Sequence, residues 1–88
     1  MVGAAGQLQD LETLIIAYPL KANVENSLIN KITGAQDAIA AGKTDSACSK
    51  LADFLTQVAD FRTAGKLTDA QATELTTEGT RIRAAIGC

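Results

Sequence analysis

The sequence predicts an all-α protein: a small up-down four-helix bundle with a short first helix, clasped by one disulfide. Four stretches carry apolar residues at helical spacing, the links between them are short, and only 3% of the residues are aromatic. Short links make consecutive helices antiparallel neighbours. With 88 residues the chain can form one domain with a thin core. We assign residues 8–88 to this domain and residues 1–7 to a flexible lead-in.

The first two helices are predicted on either side of Pro19. Residues 7–18 carry apolar side chains on one face of a helix: Leu8, Leu11 and Ile15. Because proline disfavours helical backbone in the residue before it, the first helix should end near Tyr18. The second helix is predicted over residues 22–41, with Gly42 as its C-cap. Its apolar stripe is Val24, Leu28, Ile32, Ala35 and Ile39.

The third helix is predicted over residues 45–63, with Thr44 as its N-cap. Gly65 follows it and should end it. Its apolar stripe begins at Ala47 or Cys48 and continues through Leu51, Phe54, Leu55, Val58 and Phe61.

The fourth helix is predicted over residues 69–86, where Thr68 and Gln71 have the spacing of a capping box. Its stripe includes Leu75, Ile82 and Ile86. Gly79 occupies a stripe position where a larger apolar residue is expected. Either two helices approach closely there, or the position is a tolerated weak point or gap.

Charge and hydropathy exclude two classes of partner. The net charge is −2, and the eight basic residues are scattered without interleaved aromatics, so we expect no nucleic acid partner. The apolar run LIIAY at residues 14–18 is too short to cross a bilayer, so we expect no membrane insertion. We expect a monomer.

The residue types that usually carry catalysis are scarce. The chain has no histidine and two cysteines, which is too few ligands for a structural zinc site. Asp53 and Asp60 share a helix face away from the apolar stripe, where a solvated surface is more typical than a general acid/base pair. Glu74 and Glu78, with Arg81 nearby, have the spacing of ordinary surface charge. We therefore predict no catalytic residue, no cofactor and no metal.

The hydroxyl groups offer no better candidate. Ser46, Ser49 and Thr68 have no histidine or lysine arranged as a base, so a nucleophile is not indicated. Tyr18 is the one aromatic residue with a polar end. It can cover the edge of the core or face a partner, and we favour the first role.

Cys48 and Cys88 are predicted to form the disulfide. The third and fourth helices form a hairpin, so the start of one lies beside the end of the other. Cys48 lies about 15 residues before the turn and Cys88 about 19 after it, a mismatch of roughly 6 Å that a frayed end with Gly87 can absorb. A stable disulfide implies an oxidising compartment, and hence secretion or the cell surface. The alternative is two free thiols in a cytosolic protein.

Four segments in order give the sequence a resemblance to a known family. They are VENSLINKI at 24–32, AIAAGKTDSACSKLADFLTQV at 38–58, AGKLTDAQATEL at 64–75 and RIRAAIGC at 81–88. Together they resemble the FIMAH domain, a small helical module of large secreted or surface-attached prokaryotic proteins, found mostly towards the C-terminus. The resemblance implies an all-helical fold, an extracellular and bacterial setting, and no known catalysis. It supplies no functional residues.

The sequence therefore predicts a non-catalytic accessory module of a larger exported protein, acting as a spacer, a cap or a protein-interaction surface. Its partners would be other domains of the parent protein or an extracellular protein. The alternative function is a binder of small apolar ligands or lipids, which would use a cavity between helices. An inhibitor or an enzyme is supported by fold analogy alone.

Overall fold

The protein is an antiparallel four-helix bundle. The computed structural model describes residues 4–88, which form helices α1 (Ala4–Ala17), α2 (Ala22–Ala40), α3 (Thr44–Thr63) and α4 (Asp69–Ile86). Helix α1 packs against α2 and α4, and α3 packs against α2 and α4. The short links reverse the chain direction three times, which confirms the up-down order. The bundle measures 35 × 20 × 20 Å.

The start of α1 departs from the prediction. The helix begins at Ala4, so residues 4–7, which were assigned to a flexible lead-in, are helical. Alanine is the strongest helix former, and it permits this extension even though Gly6 weakens it. The rest of the predicted lead-in, residues 1–3, lies outside the described residues. Helix α2 ends at Ala40, one residue earlier than predicted.

The cap of α3 also differs from the prediction. Thr44 is the first residue of the helix, and Lys43 occupies the cap position without a side-chain hydrogen bond. Gly42 has a φ of 74°, a left-handed conformation that costs glycine little. This tight turn lets the backbone N–H of Lys43 donate to the carbonyl of Ala38 at 2.8 Å. Helix α3 therefore begins at Thr44, one residue before the predicted start.

The N-terminus of α4 confirms the capping box. The Thr68 hydroxyl accepts from the backbone N–H of Gln71 at 3.1 Å, and the Gln71 side chain accepts from the backbone N–H of Thr68 at 3.0 Å. Two backbone donors that the helix leaves free are satisfied in this way. Helix α4 spans the residues predicted for it.

The core consists of apolar side chains from all four helices. Every stripe residue predicted for α1 is buried, and so are most of those predicted for the other helices. Ile39, Leu55, Phe61 and Ile86 are only partly buried and pack against the edge of the core. Among the described residues, no polar or charged residue is fully buried. Burial of apolar area is therefore the main force holding the bundle together.

Candidate functional site

The carboxylates considered as catalytic candidates lie on the surface. Asp53 and Asp60 are both exposed on α3, as the solvated-face interpretation predicts. Arg81 Nη1 lies 3.4 Å from Glu78 Oε1, and the two side chains are 63% and 36% exposed. A pair this exposed contributes little to stability, about 0 to 1 kcal/mol.

Glu74 has a contact that the sequence does not reveal. The hydroxyl of Tyr18, which follows α1, donates a hydrogen bond to Glu74 Oε1 on α4. Tyr18 is half-buried and packs against the core, which agrees with its predicted place at the core edge. Burial raises the pKa of Tyr18 well above its ordinary value, and the hydrogen bond and the negative charge of Glu74 add to the increase. This bond fastens the end of α1 to α4.

A cleft runs between α1 and α4 beside this contact. Its volume is about 320 Å³. Leu11, which is buried, and Leu14, which is half-buried, supply its apolar part. Three carboxylates border it, those of Asp10, Glu74 and Glu78. The cleft can therefore take an apolar side chain flanked by a basic one.

A second cleft, of about 500 Å³, lies along the outer face of α4. It shares Glu74 and Glu78 with the first cleft. Its remaining lining is polar or small: Asp69, Ala70, Thr73 and Thr77. Both clefts are open to solvent, so they resemble a contact surface more than a pocket for a small molecule.

The space beside Gly79 is filled by neighbouring side chains. A Cβ atom at this position would lie 2.9 Å from Leu55 Cδ2 and 3.4 Å from the Phe54 ring. Gly79 therefore lets side chains of α3 pack directly against the backbone of α4. Of the two interpretations of this glycine, close packing is correct.

Cys48 and Cys88 form the predicted disulfide. Their Cα atoms are 5.9 Å apart, and the bond joins the first turns of α3 to the residue that follows Gly87 after α4. Cys88 is exposed and Cys48 is half-buried. The hairpin geometry that predicted this pairing is confirmed.

The remaining candidates occupy structural or solvated positions. Ser46 and Ser49 are exposed on α3, and the hydroxyl of Thr68 serves the capping box. Within residues 4–88, no three side chains of histidine, cysteine, aspartate or glutamate converge as metal ligands would. None of the four helices has both the length and the apolar character needed to cross a bilayer.

The match to known families decides the classification. Residues 4–84, nearly the whole chain, match the family model of the FIMAH domain. The chain belongs to the FIMAH family. No curated protein and no solved structure matches it significantly. A FIMAH domain is a small accessory module, and the fold described above is therefore that of such a module.

Proposed function

We propose that this FIMAH domain is a non-catalytic accessory module of an exported protein and that it docks a protein segment through the cleft between α1 and α4. The observation that carries the docking role is the composition of this cleft. Leu14 is partly open to solvent, and Asp10, Glu74 and Glu78 surround it. An apolar centre with a polar border is the usual anatomy of a protein interface.

The other prominent contacts serve the fold. The Thr68 hydroxyl caps α4, the Tyr18 hydroxyl bonds to Glu74, and Cys48 is joined to Cys88. Such roles support an accessory module, because these groups already have partners within the bundle. Ile16, which is 59% exposed, is a single apolar side chain on the surface and needs no special explanation.

The disulfide supports the exported setting. Disulfides persist in oxidising compartments and are rare in the cytosol. Cellular fractionation followed by thiol labelling tests this part of the proposal. Recovery of the protein in the cytosol with both thiols labelled would contradict it.

Site-directed crosslinking tests the docking role. A photoreactive amino acid replaces Leu14 in the parent protein, and a matched variant carries it at Asp53, which is exposed on α3. Illumination should yield a crosslinked product from position 14 that position 53 does not give. Equal crosslinking at the two positions, or none at either, would contradict a docking role for this cleft. The domain would then act as a spacer or a cap.

Binding of a small apolar ligand or lipid has less support than docking. Leu55 and Phe54 occupy the space beside Gly79, where a cavity between helices was the alternative. The clefts on the described surface open to solvent, whereas ligand sites usually bury most of the ligand.

A further inference from the structure

The core of the bundle is uneven along its axis. We divide the bundle into a cysteine half (residues 4–10, 32–51 and 79–88) and a turn half (residues 11–31 and 52–78). Of the seven buried apolar residues described in the cysteine half, three are alanines: Leu8, Ile32, Ala35, Ala38, Ala47, Leu51 and Ile82. Of the nine in the turn half, one is an alanine: Leu11, Ile15, Val24, Leu28, Phe54, Val58, Leu67, Ala72 and Leu75. Because alanine buries less apolar area than leucine or phenylalanine, the cysteine half has the weaker core.

Polar contacts between helices follow the same division. Tyr18 bonds to Glu74, and Arg62 Nε lies 2.8 Å from Asp69 Oδ1, both in the turn half. Among residues 4–88, no side-chain hydrogen bond or ion pair joins two helices within the cysteine half. Buried side-chain atoms without a hydrogen-bond partner occur in both halves of the described chain, Gln7 Oε1 and Arg83 Nε in the cysteine half and Gln57 Oε1 in the turn half. Such atoms are unfavourable.

The disulfide is thus the main specific link between helices in the cysteine half, which has the weaker core. It fixes the residue after Gly87 to the start of α3. Without it, the last turns of α4 keep only the buried Ile82 and the half-buried Ile86 as large apolar side chains. The turn half keeps Phe54, Leu75 and its polar contacts in either redox state.

We propose that the Cys48–Cys88 disulfide is a redox-sensitive latch, whose reduction opens the cysteine half of the bundle while the turn half stays folded. A dithiol reductant supplies two electrons and two protons. Its thiolate attacks Sγ of Cys88, the more exposed residue of the pair, and Cys48 leaves as a thiolate and is protonated. The second thiol of the reductant then closes its own disulfide and releases Cys88 as a thiol. This latch operates whether or not the cleft between α1 and α4 docks a partner.

Backbone ¹⁵N relaxation of the full chain, before and after reduction by dithiothreitol, tests the latch. In the oxidised protein, order parameters should be about 0.85 throughout α4. After reduction, those of residues 82–88 should fall below about 0.6, while those of residues 54–58 and 70–76 stay near 0.85. Retained order throughout α4 would overturn the proposal, and so would loss of order in both halves together.

Two variants separate the latch from general loss of stability. Cys48→Ser/Cys88→Ser removes the bond without reductant and should reproduce the reduced profile. Thr68→Ala weakens the start of α4 with the disulfide intact, and it should leave residues 82–88 ordered. Disorder of residues 82–88 in Thr68→Ala as well would mean that this end responds to any destabilisation, which contradicts a latch.

Discussion

Gly79 of α4 lies directly against Leu55 of α3. The nearest atom, Leu55 Cδ2, would be 2.9 Å from a Cβ added at Gly79. This distance is shorter than a normal contact between two carbon atoms, so one of the two residues would have to shift. The Phe54 ring, at 3.4 Å, occupies the adjoining space. A larger residue at position 79 therefore requires the Leu55 side chain to move.

Gly79→Ala should therefore destabilise the domain despite the higher helix propensity of alanine. Overpacking lowers the free energy of unfolding by about 1 to 3 kcal/mol. The higher helix propensity of alanine raises it by about 1 kcal/mol relative to glycine. We expect the free energy of unfolding to fall by up to about 2 kcal/mol, measured by urea denaturation under oxidising conditions.

Gly34→Ala is the matched control for this substitution. An added Cβ there would meet Lys50 Cδ at 3.3 Å, in a flexible side chain that can move away. Its free energy of unfolding should rise by up to about 1 kcal/mol. Equal changes in the two variants would show that packing beside Gly79 does not determine the effect.

Local features of the fold could be predicted from the sequence because they depend on residues three or four apart. The stripe that includes Leu28 and Ile32 and the capping box of Thr68 and Gln71 are of this kind. The bond between Tyr18 and Glu74 could not be predicted. It joins residues 56 apart in sequence. It depends on the position of α1 along the axis of α4, which helical periodicity does not determine.

The candidate site was predicted only in part for the same reason. The disulfide could be predicted, because a hairpin brings its two ends together whatever the exact packing. The environment of Gly79 could not, because it depends on the position of Leu55 on another helix. The cleft between α1 and α4 likewise arises from the relative placement of Leu14 and Glu74.

Loss of the disulfide should cost a large share of the stability. A bond that closes a loop of 40 residues stabilises by about 4 kcal/mol on the chain-entropy model, and domains are typically stable by about 5 to 15 kcal/mol. Cys48→Ser/Cys88→Ser should lower the free energy of unfolding by about this amount, measured by urea denaturation.

Reduction of the unsubstituted chain provides the comparison. It should give the same loss of stability as the double substitution and raise the intact mass by about two mass units, since two protons are gained. A reduced protein as stable as the oxidised one would contradict an energetic role for the bond.

The capping box can be measured by substitution at Thr68. Thr68→Ala leaves the backbone N–H of Gln71 without its partner and should cost about 1 kcal/mol of stability. Thr68→Ser keeps a hydroxyl at the same position and should remain within about 0.5 kcal/mol of the original. Thermal unfolding followed by circular dichroism distinguishes the two. Equal losses in both variants would mean that packing of the threonine methyl group, rather than capping, is responsible.

Tyr18 should make the domain sensitive to alkaline pH. Because the pKa of Tyr18 is raised in the folded state, the unfolded chain ionises first. The contribution of Tyr18 to stability is therefore fully present below its unfolded pKa of about 10 and is lost as the pH rises further. The free energy of unfolding, measured between pH 8 and 11, should fall more steeply in the original chain than in Tyr18→Phe. The lysines are common to both proteins, so the difference between the two curves isolates the tyrosine. Parallel curves would show that the hydroxyl of Tyr18 ionises as readily in the bundle as in the unfolded chain, and the bond to Glu74 would then not hold α1 against α4.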